Sequence, residues 1–160
     1  MRTKMLALLL CVTILQLSVA VEAKDDGGYN VTYDGGSLPD LKAGKKLKMY
    51  IETNQIRIMD GKNLVTTLLP NSVTEISYGQ DVHRRVGAAI GLAVVSLGIG
   101  ALMALTKSKK HYVGLTWATG DTKGGFAMQC DKNDYRGVLT GLEGVTGKKA
   151  VDSDAMTVKN

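Results

Sequence analysis

Twenty consecutive residues, Val86–Leu105, carry no charged side chain. This run restricts what the chain can become more than any other feature in it. As a helix at ~1.5 Å per residue it would extend ~30 Å, close to the thickness of a bilayer's hydrocarbon core. A domain of this size can hardly surround a helix that is apolar on every side. Membrane contact is therefore expected ahead of burial in a soluble core. Arg84 and Arg85 precede the run, and Lys107, Lys109 and Lys110 follow it. Basic brackets of this kind suit anionic headgroups. Gly87, Gly91, Gly98 and Gly100 weaken the segment as a lone helix. Gly87 and Gly91 have the spacing that lets two helix backbones approach closely, which would serve self-association. Ser96–Gly100 offers a bend instead, so that the segment dips in and returns on one face. The expected membrane-contact residues are Arg84, Arg85, Gly87, Gly91, Gly98, Gly100, Lys107, Lys109 and Lys110.

The N-terminus carries an address. Arg2 and Lys4 open the chain, an apolar run follows from Met5 to about Leu15, and Ser18-Val19-Ala20 and Val21-Glu22-Ala23 close it with small-x-small triplets. A charged start, a short apolar middle and such an end describe a secretory signal peptide over residues 1–23. Its removal takes Arg2, Lys4 and Glu22 away, so the formal charge falls from +5 to +4. Cys11 goes too and leaves Cys130 without a disulfide partner in the chain. The expected location is the cell envelope, periplasmic and membrane-associated.

On either side of the apolar run the hydrophobic period is two. Leu47, Met49 and Ile51 share one face, and Ile56 and Ile58 resume it after a turn at Thr53-Asn54. Asp60-Gly61 signals a hairpin. Asn63–Leu69 and Val73–Tyr78 give two more strands, and Val113–Trp117 and Phe126–Cys130 another two after the run. Tyr29, Val31 and Tyr33 alternate within a glycine-rich stretch, which predicts a short edge strand in an otherwise flexible segment, residues 24–44. Then the period becomes 3.6: Tyr135, Val138, Leu139, Leu142 and Val145 lie on one helical face. Asp131 is the expected N-cap and Gly147 the stop. Gly137, Gly141 and Gly144 fall opposite the apolar stripe. Residues 150–160 read as a loose polar tail.

The order of elements is about seven short strands and one C-terminal amphipathic helix. The residues Lys109-Lys110-His111-Tyr112-Val113, Asp131-Lys132-Asn133-Asp134-Tyr135-Arg136, Leu142-Glu143 and Thr146-Gly147-Lys148-Lys149 resemble small bacterial exported proteins of unassigned function. The resemblance spans roughly residues 45–149. It implies a mainly β fold with α: an antiparallel, pleckstrin-homology-like (PH-like) barrel whose last helix caps an open end. Here a glycine-rich apolar helical segment, 86–105, interrupts the barrel between its fifth and sixth strands. The resemblance implies a fold and no ligand.

Site chemistry is sparse. Two histidines and two cysteines nearly exclude a Cys/His zinc site. Gly141–Lys149 has the wrong spacing for a phosphate loop and lies in a helix. Gly98-x-Gly100 lacks the third glycine of a dinucleotide turn. Asp131–Asp134 lacks the central glycine and terminal Glu of a calcium loop. No local signature activates Cys130 as a nucleophile. The expected protein is thus non-enzymatic and without a cofactor. Its expected partner is membrane lipid, with self-association or a protein partner in addition, and no nucleic acid. The other reading is a soluble exported module whose apolar segment packs on a partner protein.

Overall fold

The computed structural model describes residues 27–38, 40–80, 82–90 and 110–156. The chain is mainly β. Eight strands form one sheet: β1 (Tyr29–Gly36), β2 (Lys46–Ile51), β3 (Ile56–Asp60), β4 (Asn63–Leu68), β5 (Val73–Tyr78), β6 (His111–Thr119), β7 (Thr122–Cys130) and β8 (Val151–Asp152). Their spatial order is β4-β3-β2-β1-β7-β6-β5-β8. Two helices join them, α1 (Val82–Ile90) and α2 (Tyr135–Thr146). The sheet is not closed, and its edges are β4 and β8. Every pairing is antiparallel except the last, where Ser77 and Tyr78 of β5 meet Val151 and Asp152 in parallel.

Alternation decides which side of each strand is inside. Val31, Tyr33, Leu47, Met49, Ile56, Ile58, Ile76, Val113, Leu115, Phe126 and Met128 all project to one face. They merge with Val138 and Leu142 of α2 into one core. Each such side chain contributes about 1.5–3 kcal/mol by leaving water. The helix places its predicted stripe on that core and ends at Gly147, whose φ of 70° is left-handed.

Four expectations change. The stretch from Tyr29 is no edge strand in a flexible segment, because β1 lies mid-sheet between β2 and β7. Its partner Cys130 is about a hundred residues away, which no local pattern announces. Asp134 takes the N-cap position of α2, and Asp131 instead lends its carbonyl to the amides of Asp134 and Tyr135. The turn between β3 and β4 centres on Gly61-Lys62, since Asp60 already pairs with Asn63. The tail is ordered through Ser153: its amide and hydroxyl both donate to the carbonyl of Tyr78, at 2.7 and 2.8 Å. Gly137 stands against the Tyr29 ring and Gly141 against Ile51 of the sheet.

Candidate functional site

The outer face of the sheet, opposite the core, carries α1. Val82 and Val86, one turn apart, point at the sheet and are buried with Tyr112 and Ala127, and Ile90 packs beside them. The helix comes close because β6 and β7 offer glycine beneath it. A Cβ on Gly114 would stand 2.6 Å from Val82 Cγ1 and 2.9 Å from Val86 Cγ2. One on Gly125 would stand 3.1 Å from Val86 Cγ1. Glycine inside a strand often marks such a close approach. Replacing Gly114 by Val should therefore cost about 1–3 kcal/mol of stability by overpacking. Chemical denaturation of the full chain would measure it, and an unchanged midpoint would mean that helix and sheet separate without cost.

Two polar contacts hold α1 from opposite sides. On the β5 side, Arg85 Nε donates to Glu75 Oε1 at 3.0 Å and Arg85 Nη2 to Glu75 Oε2 at 2.9 Å. This bidentate fork fixes direction as well as charge. On the β1 side, His83 Nε2 stands 2.6 Å from Asp34 Oδ2. Both atoms are buried, and neither makes a hydrogen bond, to the other or to any described group. The His83 ring also meets the edge of Tyr112, with centroids 5.5 Å apart. Burial, and then the charge of Asp34, push the Tyr112 hydroxyl up to about 12, so it stays protonated across the physiological range.

Backbone irregularities place both carboxylates. The β1–β7 register shifts between Tyr33 and Gly35, which makes Asp34 the extra residue of a bulge. The β5–β6 register shifts between Val73 and Glu75, so Glu75 follows a second bulge. Bulges re-aim side chains, and here they turn two carboxylates towards one helix.

The root of the apolar segment is tied at both ends. Gln80 Nε2 donates to the carbonyl of Lys110 at 2.8 Å, and the Gln80 amide donates to Asp154 Oδ1 at 2.6 Å. Tyr78 and Val113 are paired neighbours on β5 and β6. The chain therefore leaves the sheet and returns to it at the same end.

Of the residues expected at a membrane, Arg84 is exposed on α1, Gly87 is half-buried on α1, and Lys110 marks the return to β6. Arg85 is engaged with Glu75. Gly91, Gly98, Gly100, Lys107 and Lys109 lie outside the described residues. Asp34, Glu75, His83, Tyr112, Gly114 and Gly125 had no part in the expectation. The spacing of Val82, Val86 and Ile90, together with glycines inside two strands, was the signal for them. Cys130 is a core thiol, pushed up to about 12 by burial and then by Asp131 and Asp134. Among the described residues no group of three or more His, Cys, Asp or Glu side chains could hold a metal ion. None of the described helices is long and apolar enough to cross a membrane. No protein-family model matches the chain, and no curated protein matches it.

Proposed function

We propose that this is a non-enzymatic, membrane-associated envelope protein, in which a PH-like β domain is held at a bilayer surface by the apolar segment after α1. The observation that carries the reading is the shared root of that segment. It leaves at Gln80 and returns at Lys110, two residues joined by a hydrogen bond. Strands before and after it belong to one sheet, so a single complete crossing would have to pull that sheet apart. Val86 and Ile90 already pack on the outer face, which leaves fifteen uncharged residues, 91–105, beyond α1. At ~1.5 Å per residue they would reach ~22 Å as one helix, short of the ~30 Å hydrocarbon core. Entry and exit on one face, with Arg84, Lys107, Lys109 and Lys110 at the headgroups, satisfies both limits. The PH-like reading draws support from the strand order β4-β3-β2-β1-β7-β6-β5 and from a helix that follows β7 and covers the core.

Flotation with liposomes tests this. The full chain should rise with vesicles containing anionic lipid, and a variant with residues 91–105 replaced by a short Gly-Ser linker should stay behind with unchanged β-sheet circular dichroism. If the full chain stays behind as well, the membrane reading fails and the partner-binding reading takes its place.

A further inference from the structure

β4 is an open edge of the sheet. Among the described residues it has β3 on one side and no strand on the other. Backbone donors and acceptors on that free side are a template for another strand. The same edge carries the two exposed large apolar side chains of the described residues, Leu64 at 58% and Leu69 at 57%. The opposite edge of the sheet, β8, is two residues long and offers no comparable stretch.

A bulge brings the two leucines to one face. Ile58 of β3 faces Thr66, and Met59 faces Leu64, so Val65 is the extra residue. Residues directly opposite one another share a face of the sheet. Thr66 therefore lies on the inner side with buried Ile58, whereas Leu64 lies outside with Met59, and Thr67 outside with Arg57. Leu68 returns to the core, and Leu69, still extended at φ −80° and ψ 134°, turns outward again. Each leucine thus stands two ladder positions from Thr67, on opposite sides of it. In an unbulged strand Leu64 and Leu69 would point to opposite faces. The bulge makes this edge symmetric about Thr67.

We infer that β4 pairs antiparallel with β4 of a second copy of this chain, about a two-fold axis at Thr67. The axis sets Thr67 against its own counterpart and Leu64 of each copy against Leu69 of the other. Threonine pairs and apolar pairs directly across two strands are both favourable. Such an interface is isologous and closes at two copies.

Charge permits this pairing and selects its direction. The whole chain carries +5, so two copies repel in general, but residues 63–74 carry no charged side chain. The charges of β3 behind the edge are already balanced: Arg57 is paired with Glu52, and Asp60 with Lys45 at 2.8 Å. Lys62 flanks β4 at its start. Parallel pairing would set the two Lys62 side by side. Antiparallel pairing puts each against the other copy's uncharged end, with the two roughly 27 Å apart at ~3.4 Å per ladder step. Exposed charges at that distance are largely screened.

Sedimentation of the full chain in neutral detergent tests the association, and cross-linking tests the register. The chain should pass from monomer to dimer as its concentration rises. Thr67→Lys sets two like charges face to face and should raise the dissociation constant about tenfold or more, with unchanged β-sheet circular dichroism. Cross-linking uses a Cys11→Ser background, in which the remaining native thiol, Cys130, is buried. There Thr67→Cys should form a disulfide-linked dimer under mild oxidation, because Cα atoms ~5 Å apart across two strands suit a disulfide. Lys62→Cys should not, although Lys62 is exposed, since its counterpart lies at the far end. A chain that stays monomeric overturns the inference, as it would if another segment of the same chain covered β4. So does a dimer that Thr67→Lys leaves intact, the outcome expected of association through the apolar segment. Thr67→Cys that fails to cross-link, or Lys62→Cys that cross-links as readily, overturns the two-fold register.

Discussion

Residues 24–85 expressed alone should show no cooperative thermal transition. This fragment holds β1 to β5 and lacks β6, β7 and α2. In the whole chain β1 is sealed on one side by β7 and β5 by β6. Without them both strands expose backbone donors and acceptors, and unpaired edges of that kind invite aggregation. The inner faces of β1, β2 and β3 would also lose Val113, Leu115, Phe126, Met128, Val138 and Leu142, the other half of the core. A few strands with one uncovered apolar face do not reach independent stability. Circular dichroism during heating measures the outcome, and a sharp two-state melt of the fragment would show that the two halves fold separately.

Phe126→Ala should destabilise the full chain by about 3–5 kcal/mol. The only phenylalanine of the sequence is 2% exposed and lies edge-on to Trp117, with ring centroids 5.8 Å apart. It is paired with Leu115 on β6 and Gly36 on β1, so its ring stands where the two halves of the sheet join. Its truncation opens a cavity bordered on several strands, which cannot all move in together. For a domain of this length the melting temperature should drop by roughly 10–20 °C. A loss under about 1 kcal/mol would show that the surroundings collapse onto the space, against the close packing expected of such a core.

Much of the fold was legible locally. The face shared by Leu47, Met49, Ile56 and Ile58, the strand ending at Tyr78 and the stripe of α2 all follow from period, because period states which side of an element avoids water. The place of the apolar segment, between the fifth and sixth strands, was legible for the same reason. The site was hardly legible at all. Arg85 looked like a headgroup contact from its place beside the apolar run, yet it grips Glu75, ten residues back. Asp34 and His83 are 49 positions apart in the sequence and meet only because β1 bulges beneath α1.

The sequence by itself determined the buried faces of β2, β3 and α2, the change of period from strand to α2, and that one uncharged segment stands outside the alternating pattern. These are properties of neighbours along the chain. Tertiary structure alone decided that β1 lies mid-sheet, that the C-terminal tail extends the sheet beside β5, and that α1 docks on the outer face over Gly114 and Gly125. Backbone hydrogen bonds are alike for every strand, so period cannot name a strand's partner. The partner is selected by how the buried faces of all the elements close over one core, and that is settled only when the whole chain is folded.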